Sequence, residues 1–312
     1  MRFLALSDLH GNTTALKSVL EEACDTGFDY ILIGGDLTDL EYHFEDGEDI
    51  VKRAGRVFEM LEQYDTPYFF VWGNWDLTLS FLRRMRYRRD EKWTIHKHPE
   101  SVEMVMSRGD RGIVHTVPLP LYNYSLEVAE ILESMKLARP LDIVDTVELG
   151  VFKLTSRPEL ADERTILLTH FYNKLTKAYV HLDAHVHFGR VFNNYVNLGF
   201  VYRWREKGGE GGCYWLISFP ESPGEPPMIE WINHSGMMKE LRCGRGVHKG
   251  VFYTPNYWRI CPACHDKRNS VEGLDPRCTD RPRRYHDEDD AKISLALMEY
   301  PNQHLNIGSD TF

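Results

Sequence analysis

An α/β fold built on a parallel sheet is predicted by three features of residues 1–76. Short apolar runs recur at 2–6, 30–33 and 67–71, helical patterns separate them, and each run stops at a turn containing glycine. Strand, helix, strand, helix, strand with short connections is the pattern of parallel strands joined by crossover helices. The first run, RFLAL, enters SDLHGN as a buried strand enters a loop. From Thr13 to Cys24 the residues Ala15, Leu16, Val19, Leu20 and Ala23 share one helical face. Asn12 or Thr13 offers the N-cap, Gly27 the stop, and Cys24 is expected to pack inward. YILIGGD supplies the second strand and turn, Ile50, Val51, Ala54, Val57, Phe58 and Leu61 mark a second helix, and PYFFVWGNWD supplies the third strand.

From about Phe81 to Glu163 the pattern is weaker. FLRRMRYRRDEKWTIHKH is dense in arginine, and a helix is expected from Leu126 to Lys136. RTILLTH and AYVHLDAHVH resume strand character. RVFNNYVNLGFVYRW and CYWLISF read as a hairpin joined by REKGGEGG, and PMIEWIN continues the sheet after the turn ESPGEPP. Beyond Lys239 the periodicity fades and cysteine, proline, arginine and glycine become frequent. The expected division is a main domain over 1–239 and an extension over 240–312.

Bulk properties narrow the class. With 312 residues, 42% of them hydrophobic, the chain can bury one large core. It has no apolar run of roughly 18 residues and no signal-peptide layout ahead of Arg2, and six cysteines are too few for a disulfide scaffold. A cytoplasmic protein with no membrane association is the expectation. The net charge of −10 speaks against a general nucleic-acid coat protein but leaves a local basic groove open.

The strands end in metal-binding side chains: Asp8 and His10, then Asp36, Asn74, His170, and His185 with His187. In a parallel sheet the carboxyl ends of the strands share one edge, so these seven residues are expected to converge there. Carboxylate, amide and imidazole suit manganese, iron, zinc or nickel. Strand side chains alternate, so His185 and His187 face the same way.

Taken in order, DLHG, GGDLTD, GNWD, LTHF and AHVHFGR resemble the signature of the calcineurin-like metallophosphoesterases, over residues 1 to about 233. The resemblance implies a four-layer α/β/β/α sandwich with two divalent metals, manganese favoured. Carried over by position, Asp8, His10 and His187 would hold the first ion, and Asn74, His170 and His185 the second. The Asp36 carboxylate would bridge them, while Asp39 and Asp76 would orient the ligands. The implied reaction is phosphodiester hydrolysis, with a metal-bridging hydroxide attacking phosphorus in line. Asn12 is a candidate phosphate contact as well as a helix cap.

The chain departs from the family pattern at Trp75, where a histidine that can protonate the leaving oxygen is usual. An indole N–H cannot exchange a proton near pH 7. His43, His96 and His98 are candidate replacements, and Trp75 itself is a candidate surface for a base or aryl group. Arg83, Arg84, Arg86, Arg88 and Arg89 read either as a cationic wall contacting substrate or as a solvated helix paired with acids. In the extension, Cys261 and Cys264 of CPACH, with Cys243 and Cys278, are candidate ligands of a structural zinc, and His248 or His265 could replace a lone cysteine. Such a module could dock a protein partner. A nuclease acting on DNA or RNA ends is the alternative within hydrolases, and a non-catalytic scaffold on the same fold is the alternative outside them.

Overall fold

The computed structural model describes residues 1–255 except 109–110, 172–175, 193, 202, 205–208, 211, 235 and 244–249. Cys261, Cys264, Cys278 and His265 lie outside the described residues, as does His248. Cys243 ends a strand, so the structure leaves the zinc expectation where the sequence put it.

The helices are α1 (Thr13–Cys24), α2 (Leu40–His43), α3 (Glu48–Glu62), α4 (Leu77–Tyr87) and α5 (Leu119–Ser134). The strands begin with β1 (Arg2–Leu6), β2 (Tyr30–Ile33), β3 (Tyr68–Phe70), β4 (Lys92–Lys97), β5 (Ser101–Arg108), β6 (Arg111–Pro118) and β7 (Ala138–Pro140). There follow β8 (Val147–Leu149), β9 (Phe152–Thr155), β10 (Thr165–Leu168), β11 (Val180–Asp183), β12 (Gly189–Phe192) and β13 (Tyr195–Leu198). The last are β14 (Arg203–Trp204), β15 (Gly209–Glu210), β16 (Tyr214–Ser218), β17 (Met228–Ile232), β18 (Met238–Cys243) and β19 (Gly250–Pro255).

Two mixed sheets carry the architecture. The first has the order β17-β16-β1-β2-β3-β7, and the second has β18-β19-β12-β13-β11-β10-β9-β8. Each contains a parallel block, β1-β2-β3-β7 in one and β9-β10-β11-β13 in the other. Alternation along β1 explains its unbroken apolar run: both faces are buried. Leu4 and Leu6 join Ile31, Ile33 and Phe70 against the helices, with Leu16, Val57, Phe58 and Val128 opposite. Phe3 and Ala5 face the second sheet, meeting Leu154, Ile166, Leu182 and Val196. The helices thus cover the outside of the first sheet, and the second sheet covers its inside. No α-helix follows Ser134 among the described residues, and none there is long and apolar enough to cross a membrane.

The structure differs from expectation in four places. Residues 195–198 and 214–218, read as one hairpin, belong to different sheets: β13 pairs with β11 and β12, while β16 fills the open edge of β1. Alternating apolar residues say that a strand is buried but not which edge it will join. Helix α5 begins at Leu119 rather than Leu126, with Pro120 in its first turn, where a missing N–H costs nothing. Position 239, the expected domain boundary, falls inside β18, and β18 with β19 extends the second sheet beside β12. Cys24 is exposed, one position beyond the last buried residue of α1.

Candidate metal centre

The parallel blocks bring their carboxyl ends to one rim. Asp8 and His10 follow β1, Asp36 follows β2, Asn74 follows β3, His170 follows β10, and His185 and His187 follow β11. Backbone bonds stitch the loops together across strands: Asp8 N–H donates to Gly35 O, Leu9 and His10 N–H to Asp36 O, and Ala184 N–H to His170 O. Only a few main-chain conformations allow so many loops to meet. Among the described residues six non-glycines have a positive φ, and five of them are Asp8 (53°), His10 (45°), Asp36 (49°), His185 (71°) and His187 (49°). Such backbone costs about 1 kcal/mol or more per residue and collects where a site over-determines geometry. Aspartate and histidine tolerate it better than most residues. Two glycines are obligatory for space. A Cβ on Gly73 would lie 1.9 Å from Asp36 Oδ1, and one on Gly35 would lie 2.5 Å from His170 Nδ1.

Two groups of ligand atoms result, Asp8, His10, Asp36 and His187 in one and Asp36, His170 and His185 in the other, each within 4.8 Å. Asp36 belongs to both. In the first, His187 Nε2 is 3.2 Å from Asp8 Oδ1 and from His10 Nε2, and His10 Nε2 is 3.9 Å from Asp36 Oδ2. In the second, His170 Nε2 lies 3.4 Å from Asp36 Oδ2, 3.2 Å from His185 Nδ1 and 3.0 Å from Asn74 Oδ1. His170 donates its Nδ1–H to Gly34 O at 2.9 Å, which turns Nε2 toward the cluster. The Trp75 backbone N–H donates to Asp36 Oδ1 at 2.8 Å and fixes that carboxylate. Ser7 Oγ–H does the same for Asp8 Oδ2 at 2.5 Å; the sequence marks neither donor.

Burial and charge prepare these atoms for cations. Burial pushes His10 down to about 4 and His185 to about 3, so both rings are neutral near pH 7. Burial opposes ionisation of Asp8 and Asp36 as well, but the facing imidazoles, His187 for Asp8 and His170 for Asp36, hold both carboxyls below the usual range. For His170 burial opposes the proton, yet Asp36 beside it lifts the ring to about 10. Divalent ions require ionised carboxylates and imidazole lone pairs, so an ion bound here would displace the Nε2 proton that Asp36 holds on His170. The spacing fits too: with metal–nitrogen bonds of about 2.1 Å, neighbouring ligand atoms stand about 3.0–3.4 Å apart. The donor set therefore suits two adjacent divalent ions sharing Asp36.

The remaining predicted residues fall around this core. Asp76 is fully buried and accepts from Leu37 N–H, Thr38 N–H and Thr38 Oγ–H at 2.6–2.9 Å, tying the Asn74 loop to the Asp36 loop. Burial, reinforced by Asp36, raises its carboxyl to about 7 against the pull of these donors. Asp39 lies beneath the turn at Gly11 and is held by Arg53 Nη2 at 3.2 Å, a partner that the sequence does not single out. Asn12 Oδ1 accepts from Ala15 N–H at 3.0 Å and so caps α1. Of the three spare histidines, His43 stands beside Trp75, ring centroids 5.8 Å apart, while His96 is exposed on β4 and His98 donates its backbone N–H to Ser101 O. Three arginines of the run are engaged with acids. Arg84 pairs with Glu91, Arg86 with Glu133, and Arg88 with Asp90 and Asp145, while Arg83 is buried over the Tyr87 ring. Three of the five arginines thus pair with acids, whereas Arg83 is buried rather than solvated.

None of the curated proteins matches the chain. Among solved structures it is similar to TT1561 of Thermus thermophilus, at 15% identity over 75% of this chain and 98% of that one, TM-score 0.43. It is also similar to Yfce, a phosphoesterase from E. coli, at 17% identity over 70% and 88%, TM-score 0.32. The model of the family described as calcineurin-like phosphoesterase matches residues 1–195, a span that holds every candidate ligand described above. With that match over most of the chain, and two Asp/His clusters sharing a carboxylate at the rim of two sheets, the protein belongs to the calcineurin-like phosphoesterase family.

Proposed function

We propose that the protein is a metal-dependent phosphodiesterase. The observation that carries this reading is the shared Asp36 carboxylate, with an uncharged Trp75 beside it where the family pattern has histidine. Asp8, His10 and His187 would hold one ion, and Asn74, His170 and His185 the other. Two such ions polarise phosphoryl oxygens and make water nucleophilic near neutral pH. The protein's own part is to keep donor atoms aimed before substrate arrives. Gly34 O fixes the His170 tautomer, the Trp75 backbone N–H fixes Asp36, and Asp76 clamps the two loops that carry them. At the Asn74 turn an indole stands in place of the usual imidazole, and it carries no charge and no proton that ionises near pH 7. A diester monoanion asks less of such a site than a monoester dianion does.

With manganese, bis-p-nitrophenyl phosphate is expected to be hydrolysed faster than p-nitrophenyl phosphate; initial rates at equal concentration check this, and the opposite ranking rejects the diester preference. Trp75→His is expected to raise turnover of an alkyl monoester by about tenfold or more, at or below the scale of a positioned general acid. Phosphate release from the two proteins measures it, and unchanged turnover would mean that proton supply does not limit the reaction.

A further inference from the structure

A buried polar network lies behind the second ligand group, on the face of β11 turned away from the first sheet. Val180 and Leu182 point into the core between the sheets, so His181 and Asp183 take the opposite face of the strand. Asp183 is 1% exposed, with Thr169 and His181 buried beside it. Its Oδ1 accepts from the Thr169 hydroxyl at 3.1 Å, and its Oδ2 accepts from the Tyr195 hydroxyl at 2.9 Å. Because the Thr169 hydroxyl gives its proton to Asp183, its oxygen accepts from His181 Nε2–H at 2.8 Å. The His181 ring in turn stands edge-on to the Tyr195 ring, centroids 5.3 Å apart.

Chain position gives this network its bearing on the metal centre. Thr169 immediately precedes His170, Asp183 stands two residues before His185, and Tyr195 opens the neighbouring strand β13. One carboxylate thus braces the ends of β10 and β11 against β13, where the first two turn into ligand-bearing loops. Main-chain bonds also link those two ends, Thr169 N–H to Leu182 O and Ala184 N–H to His170 O. Packing alone does not account for Asp183, since an apolar side chain fills a strand buried on both faces without the cost of burying a charge.

We propose that Asp183 is a positioning residue for the ion assigned to Asn74, His170 and His185, holding the stems of the two histidine loops at the separation that ion requires. This rests on the two-ion centre that underlies the phosphodiesterase reading. The other ion depends on the brace less, because Asp8 and His10 reach it from the loop after β1.

A manganese titration of the full chain followed by electron paramagnetic resonance tests the assignment, because an exchange-coupled ion pair and a single bound ion give different spectra. His185→Ala supplies the reference for a protein without the second ion. Asp183→Leu is expected to raise the manganese concentration needed for the coupled spectrum by about tenfold, the lower end of what loss of a ligand's supporting partner costs. The single-ion spectrum should still appear at the concentration the unaltered protein needs. Tyr195→Phe removes one donor and should shift the coupled spectrum by a smaller factor, and it decides the matter should Asp183→Leu fail to fold. An unshifted coupled spectrum, or an equal shift of both spectra, makes the network merely structural and overturns the positioning role. Absence of a coupled spectrum from the unaltered protein overturns instead the two-ion centre beneath it.

Discussion

Asp36→Asn is expected to lower diester turnover by about a thousandfold or more and to strip most of the bound metal, while leaving the fold in place. The amide has the carboxylate's shape, so its oxygen can still accept the Trp75 N–H. What it lacks is negative charge at the point where the two ligand groups meet, 3.4 Å from His170 and 3.9 Å from His10. Loss of a single preorganised charge-stabilising group commonly costs a factor of about 100 to 1,000, and here the same change weakens two ion sites at once. Initial rates, elemental analysis after dialysis and a thermal melt check the three parts separately. Full activity with full metal content would remove Asp36 from the centre of the scheme.

Asp76→Ala is expected to act on stability first. It strands the N–H groups of Leu37 and Thr38 and the Thr38 hydroxyl in the interior, where the fully buried carboxylate had been their acceptor. At about 1–3 kcal/mol for each unsatisfied buried group, and with partial relaxation, the loss should be about 3 kcal/mol. For a chain of this size that corresponds to a melting temperature lower by about 5 °C. Asp76→Asn keeps one acceptor and should recover part of the loss. A melt within a degree or so of the unaltered protein would show that the two loops are fastened by something else.

What could be read in the chain was what depends on near neighbours or on the general geometry of parallel strands. β1, α1, β2, α3 and β3 follow from apolar periodicity and turn residues, and the convergence of Asp8, Asp36 and Asn74 follows from parallel strands sharing an edge. The place of β16 was not legible, because its pairing with β1 is decided by edges more than two hundred positions apart. Nor was α2: its single turn is too short for a periodic signal. The three-stranded sheet β4-β5-β6 was hidden for another reason. Its charged outer positions and the arginines of α4 made the whole stretch look helical or irregular. The donors that aim the ligands, at Ser7 and Trp75, and the acceptor at Gly34 are hydroxyl or backbone groups, which leave almost no trace in residue type.

The position of β1 has a consequence for how the polypeptide is made. It is flanked by β2 on one side and β16 on the other, so one of its edges stays bare until residues 214–218 have emerged during translation. At a ribosomal pace of about 5–20 residues per second that interval lasts on the order of ten seconds or more. Throughout it, a very apolar strand leading into Asp8 and His10 has only half its neighbours, and the nascent chain presents the kind of surface that chaperones shield.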